Sequence, residues 1–406
     1  MASDIGTTSL GGARSLRRNL VADMLGRLVA RLDCGNLTVV LPSGDRIEHS
    51  GARAGPTATL VVRRWRTIWR LISQGDLGFA EAYIDGDWSS PDLAALLELA
   101  ARNLAALDRG IAGLPIARVH HRLRHLLRAN SKAGSRRNIA FHYDLGNAFF
   151  ERWLDSSMTY SSALYEHPNQ TLEEAQQAKL RRIEQLLGLE GGEKILEIGI
   201  GWGALAARLA RAGAEVTGIT LSTEQLAFAR LRMERERLAD RVALDLSDYR
   251  DVEGAFDRIV SIEMLEAVGE AYWPAYFKVL HDRLNVGGRA VLQAITIDEA
   301  RFPAYRRSPD FIQRHIFPGG MLPTRTIIEE QGARAGLELV STQMFGQSYA
   351  STLCEWRKRF LASWPEIAAM GFPERFRRLW DYYLGYCEAG FRAATIDVGF
   401  FVFARS

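Results

Sequence analysis

Residues 194–203 read Lys-Ile-Leu-Glu-Ile-Gly-Ile-Gly-Trp-Gly, so an apolar strand runs straight into Glu197, Gly199, Gly201 and Gly203. A helix-like segment, Ala204 to Arg211, follows at once. A strand, a glycine turn and a helix in this order let backbone approach a ligand where any Cβ would clash, and bring the positive end of a helix beside it. A dinucleotide site wants G-x-G-x-x-G/A and, about 20 residues on, an acid for a ribose hydroxyl. Gly199, Gly201 and Ala204 meet the first condition. The second fails, because the next strand, Ala214–Ile219, runs into Thr220-Leu221-Ser222. A ligand-free βα turn is the alternative.

An acid just ahead of the glycines, here Glu197, is the form usual in S-adenosylmethionine (SAM) methyltransferases. At 406 residues the chain is too long for one typical core, and two domains are expected. A hydrophobic content of 47% with 24% charged residues describes a globular protein. Cys34, Cys354 and Cys387 are far apart and have no metal-ligand spacing, which suits a reducing compartment. No apolar run approaches the roughly 18 residues of a membrane span, and Val21-Ala22-Asp23 interrupts any signal-peptide core. The expectation is a cytoplasmic protein, in contact with membrane only at its inner face.

Residues 1–117 read as a small α+β domain. Residues 1–18 are small, polar and expected to be mobile, and 19–33 have helical spacing. Strands are expected at Leu37–Leu41, from Arg46, and at Thr57–Val62, with Pro42-Ser43-Gly44-Asp45 as a turn. Helical spacing resumes at Trp65–Ile72 and Asp76–Tyr83, and Leu93–Leu107 reads as one amphipathic helix. Residues 118–137 then hold Arg118, Arg122, Arg124, Arg128, Lys132, Arg136 and Arg137, three histidines and no acid. This is a basic linker. It reads either as a solvated helix or as a strip for anionic phospholipid headgroups, each basic residue near such a surface contributing about 1 kcal/mol. Nucleic acid is not expected, since no base-stacking or groove-reading module accompanies the charge.

From about residue 175 the pattern is βαβ. Helices are expected at Leu172–Leu187, 204–212, Thr223–Leu238 and Trp273–Leu284. Strands are expected at Lys194–Ile198, 214–219, Val242–Leu246, Phe256–Ile262 and Gly288–Thr296, with a closing strand at Ala394–Arg405. Alternation of this kind specifies an α/β doubly wound parallel sheet with its ligands at the carboxyl ends of the strands. The insertion Asp298–Pro323 follows a strand end, where a cap over an acyl substrate would sit.

Four further stretches join the glycine turn: His142–Phe150, Trp153–Ser161, Ile262–Gly269 (Ile-Glu-Met-Leu-Glu-Ala-Val-Gly) and Ile316–Pro323. In this order and spacing the chain resembles the cyclopropane fatty acid synthases and the related mycolic acid methyltransferases. The resemblance runs from about residue 138 to the C-terminus, and more weakly into the N-terminal domain. It implies a class I SAM-methyltransferase fold over 138–406, with SAM held by Tyr160, Ser161, Gly199, Gly201, Thr220 and Gln225. Tyr249 and Arg250 fall at the family's adenine contacts. Tyr143 and Tyr160 can offer aromatic faces to a sulfonium cation.

The resemblance also implies a bound bicarbonate as base, in a pocket made by a Cys, a Glu, a His, an Ile backbone and a Tyr. Carried over, the Glu is Glu266, the Ile is Ile295 and the Tyr is Tyr349. The Cys position holds Ser162 and the His position Gln293. Both are hydrogen-bonding residues, but neither can be a cation or a thiolate. Glu266 as base is the anion-free alternative. The expected activity is C-methylation at the double bond of unsaturated acyl chains of phospholipids. Loss of a proton from the new methyl closes a cyclopropane, and loss from a neighbouring carbon leaves a methyl branch or a methylene. A free or carrier-bound substrate, a non-catalytic lipid-binding protein and a homodimer stay open.

Overall fold

The computed structural model describes residues 23–111 and 145–406. The basic linker, Tyr143 and the start of the His142–Phe150 motif lie outside the described residues. The chain divides into two compact units, the first containing 23–111 with Glu374–Tyr382, the second 145–373 with Tyr383–Ser406.

In the first unit four strands, β1 (Cys34–Val40), β2 (Arg46–Ser50), β3 (Arg53–Val62) and β4 (Trp88–Ser89), lie in the order β2-β1-β3-β4. Alternation along β1 and β3 turns Val39, Leu60 and Val62 inward. The helix Arg66–Ile84 is broken at Gly75, whose φ of 65° no helix interior has, which is why the sequence reads as two helical segments. The expected single helix Leu93–Leu107 is in fact two, Leu93–Arg102 and Leu104–Ile111. The reason is Asn103. Its amide oxygen accepts from the backbone of Asp33 (2.8 Å) and Cys34 (3.0 Å), and its nitrogen donates to the carbonyls of Cys34 and Leu99 (2.8 Å each). All four hydrogen bonds of a buried amide are met only if the helix stops there.

The second unit has one seven-stranded sheet: β5 (Lys194–Ile198), β6 (Glu215–Thr220), β7 (Val242–Leu246), β8 (Phe256–Ile262), β9 (Leu284–Ile297), β10 (Glu338–Met344) and β11 (Ile396–Ala404). The order is β10-β11-β9-β8-β5-β6-β7. β5 to β9 run parallel, as the alternation predicts. The wholly parallel sheet needs correction, since β11 is antiparallel to both β9 and β10. Apolar side chains fill both faces, Ile195, Val216 and Val260 on one side and Leu196, Ile219 and Ile259 on the other. This two-sided burial explains why the parallel strands are continuous apolar runs. The insertion after β9 forms two short helices, Phe302–Tyr305 and Phe311–His315, and is pinned down where Met321 N donates to Glu266 O at 2.8 Å.

Candidate active site

Ile198 pairs with Ile219 and Thr220 with Leu246, so β5, β6 and β7 end together. The glycine turn, Thr220 and the turn Tyr249–Asp251 line this edge. Gly199, Gly201 and Gly203 all have positive φ, at 88°, 52° and 83°. A Cβ on Gly203 would lie 3.0 Å from Met233 Cε, and one on Gly199 would lie 3.3 Å from Met264 Cγ. On Gly201 it would meet nothing within 4 Å. Packing within the chain therefore crowds the outer two positions, whereas Gly201 borders open space as a cofactor cradle requires. Thr220 Oγ1 donates to Gln225 Oε1 (3.1 Å), and Ser222 caps the helix Thr223–Arg235 through Gln225 N. These are neutral groups, in keeping with the missing ribose acid.

Tyr249 and Arg250 reach the same edge, but their side chains are committed. The Tyr249 ring is buried edge-on to Tyr276, with centroids 5.4 Å apart. The Arg250 guanidinium is paired with Asp248 (2.7 Å) and lies over the rings of Tyr249 and Tyr272. The segment thus offers an aromatic–guanidinium stack rather than an outward phenol.

Tyr160 joins an aromatic group, its ring 5.4 Å from Phe150, 5.5 Å from Trp153 and 5.2 Å from Trp356, and its hydroxyl is 2.7 Å from that of Tyr383. Ser161 is fixed from beneath by Lys179, a buried residue that the sequence reading passed over, whose Nζ donates to Ser161 Oγ at 2.7 Å. Burial pulls this ammonium down to about 8, against the attraction of Glu263, Asp155 and Glu197. Gln176, one turn earlier, donates to the carbonyl of Ser161 (3.0 Å).

The residues matched to the anion pocket do come together, around a group the sequence reading did not select. Glu263 follows β8 with φ 50°, a conformation uncommon for any residue with a Cβ and frequent at functional sites. Its Oε1 accepts from Ser162 N (2.8 Å) and Gln293 Nε2 (2.7 Å), and its Oε2 accepts from the Tyr349 hydroxyl (2.7 Å). Ile295 N donates not to a separate anion but to Glu266 Oε1. Glu266 Oε2 is buried with no hydrogen-bond partner among the described residues. Of the five groups assigned to a bicarbonate pocket, three are therefore engaged by Glu263 and a fourth, Ile295 N, by the fifth, Glu266, and bicarbonate does not fit this arrangement. The visible signal was the pair of acids three apart in Ile262-Glu263-Met264-Leu265-Glu266.

Two carboxyl groups this close cannot both ionise without cost. Burial pushes Glu266 up to about 8, and the Glu263 charge adds to the rise. Burial raises Glu263 as well, but its three hydrogen bonds and the Lys179 ammonium oppose that. Burial and the neighbouring Glu263 charge favour the protonated form of Glu266, whereas the three donors on Glu263 favour its carboxylate form.

Residues 130–401 match the family described as mycolic acid cyclopropane synthetase. The chain is 40% identical over 365 residues to the tuberculostearic acid methyltransferase UfaA1 of Mycobacterium tuberculosis, covering 86% of this chain and 84% of that protein. It is 37% identical over 344 residues to the cyclopropane-fatty-acyl-phospholipid synthase of Escherichia coli K12, covering 83% and 85%. Among solved structures it resembles mycolic acid cyclopropane synthase CmaA1 complexed with SAH and CTAB, with a TM-score of 0.63 and 31% identity, over 68% of this chain and 99% of that one. With the glycine cradle and the sheet order in agreement, the chain belongs to the mycolic acid cyclopropane synthetase family and is a SAM-dependent methyltransferase.

Proposed function

We propose that the enzyme methylates carbon at a cis double bond within unsaturated acyl chains of membrane phospholipids, leaving a methyl-bearing chain. The carrying observation is a carboxylate, Glu263, held by three donors at the end of β8 and beside the cofactor edge. An isolated alkene is a weak nucleophile with no proton whose removal would improve it, so alignment and exclusion of water must supply the rate. SAM bound at Gly199 and Gly201 supplies an electrophilic methyl group. The partly exposed ring of Tyr160, held in place by the buried Phe150, Trp153 and Trp356, favours positive charge on a neighbouring acyl carbon. A proton must then leave, and the site holds a carboxylate for it.

The phospholipid assignment is supported by the Escherichia coli relative, whose match is longer than the catalytic unit alone. It is supported further by the basic stretch 118–137, read as the contact with anionic headgroups at the inner membrane face. Among the described residues no helix is long and apolar enough to cross a membrane. Ring closure is the second reading, favoured by that relative's printed name, whereas the Mycobacterium tuberculosis relative is named for a methyltransferase reaction. The test is SAM consumption with vesicles of cis-unsaturated or fully saturated phosphatidylglycerol. Turnover confined to the unsaturated vesicles is expected. Equal turnover on both would contradict the reading.

A further inference from the structure

We propose that Glu263 is the base that removes the proton released after methyl transfer, its fixed carboxylate doing what the family resemblance assigns to a bound bicarbonate. The assignment rests on the C-methylation read above.

Four observations converge on it. First, the donors are taken. Ser162 N, Gln293 Nε2 and the Tyr349 hydroxyl, which the resemblance aims at an external anion, all end on the Glu263 carboxylate at 2.7–2.8 Å. A second anion there would have to displace a covalently tethered one of the same charge and shape.

Second, the two departures from the family pattern become one feature. An imidazolium facing a tethered carboxylate would form an ion pair and depress its basicity. The Gln293 amide donates a neutral hydrogen bond instead, orienting the carboxylate without neutralising it. At position 162 the contact to Glu263 is made by the backbone N–H, while the hydroxyl turns away to the Ala163 carbonyl at 2.9 Å. The side chain there has no anion left to serve.

Third, the backbone is bent to deliver the group. Glu263 has φ 50°, and its own N–H donates to Gln293 O at 2.7 Å, which ties the left-handed residue to the strand that carries its partner amide. Fourth, Glu263 is half-buried while Ser162, Gln293 and Tyr349 are buried. The carboxylate is thus held by donors from buried residues. Glu266, with Oε1 on Ile295 N, holds the second carboxyl position beside it, where burial and the Glu263 charge favour its protonated form.

The step balances. One alkene carbon uses the π pair to bond the incoming methyl, and the sulfur that carried that methyl keeps the pair of the broken bond. The other alkene carbon is left cationic. Glu263 accepts a proton from a carbon beside it, the C–H pair becomes the new carbon–carbon bond, and the proton passes from the carboxyl to solvent after product leaves. No oxidant, reductant or further anion is required.

The experiment uses the full chain in carbon-dioxide-free buffer, with cis-unsaturated phosphatidylglycerol vesicles, and compares wild type with Glu263→Gly and Glu263→Gln. Glycine suits the left-handed backbone and opens the carboxylate's place, whereas glutamine fills it. Wild-type turnover should be the same with and without added bicarbonate. Both variants should lose roughly 10²–10⁴-fold in turnover, the scale of a general base, while calorimetry finds SAM affinity within a few-fold of wild type. Bicarbonate or formate should restore part of the turnover of Glu263→Gly and none of that of Glu263→Gln. Calorimetry should also detect bicarbonate binding to Glu263→Gly and not to wild type, a readout independent of the acyl substrate. Wild-type turnover that falls when bicarbonate is removed, bicarbonate binding to wild type, or a fully active Glu263→Gln would each overturn the assignment. A wild type that binds no bicarbonate and yet spares SAM on these vesicles would count instead against the substrate reading.

Discussion

At the scale of single residues, the glycine turn was the most legible part of the site, because its geometry is local. The structure refines it by separating Gly201, where a Cβ meets open space, from Gly203, where it would meet Met233. Gly201→Val should therefore still fold, at a strain cost of about 1–2 kcal/mol for a left-handed residue with a Cβ, and should lose SAM binding. Calorimetry giving an affinity within a few-fold of wild type would remove Gly201 from the cradle. Glu266 gives a pH prediction. Its carboxyl rises from an ordinary 4.5 to about 8 on folding, so between those values the folded chain binds more protons than the unfolded one. Its contribution to stability is accordingly present at low pH and lost as pH rises toward 8. The charged group facing it, Glu263, persists in both proteins. The melting temperature of Glu266→Gln relative to wild type should then be higher at pH 8 than at pH 5, and a pH-independent difference would contradict the buried proton. Glu263 itself escaped the sequence reading because its role depends on partners 30 to 101 residues away and on one backbone angle. Neither is encoded in a local pattern.

At the scale of elements, the helix Leu172–Leu187 shows how a framework segment serves the site. Its ends were readable from chemistry, with Thr171 and Glu174 forming a capping box and Gly188 ending it with a left-handed φ. Its function was not, because Lys179 and Gln176 look like surface residues in sequence and are buried beneath the 159–162 loop. Lys179→Met keeps the length and removes the hydrogen bond to Ser161. SAM affinity should fall roughly tenfold, the scale of one charge-assisted hydrogen bond of about 1.5 kcal/mol, with little change in far-ultraviolet circular dichroism. Unchanged affinity would show that the loop holds its shape without the lysine. The strands β5 to β9 were legible because two-sided burial makes each one a short apolar run. The partner strand β10, Glu-Leu-Val-Ser-Thr-Gln-Met, lies at the sheet edge, where a mostly polar and partly exposed segment carries little periodicity. The break at Asn103 was hidden for the opposite reason, since Leu93–Leu107 keeps its apolar spacing through the interruption. Asn103→Ala should destabilise the first unit by about 1–3 kcal/mol, the cost of stranding buried backbone groups, measurable as a lower denaturant midpoint.

At the scale of the whole molecule, the net charge of +3 says little, whereas its uneven spread suggests how the enzyme meets its substrate. If residues 118–137 face anionic headgroups, reversing the charge at Arg122, Arg124 and Arg128 should weaken sedimentation with phosphatidylglycerol vesicles. Wild-type binding should fall as salt rises, because screening shortens the reach of exposed charges. Binding unaltered by the triple reversal would reduce the stretch to a linker. The account as a whole depends on one chemical event, formation of a carbon–carbon bond on an acyl chain. Incubating wild type with methyl-labelled SAM and vesicles of one defined cis-unsaturated phospholipid, then cleaving the acyl chains and locating the label by mass spectrometry, tests it directly. The account predicts the labelled carbon on the acyl chain at a former double-bond position; label confined to the headgroup, or found on a chain that never held a double bond, would contradict it.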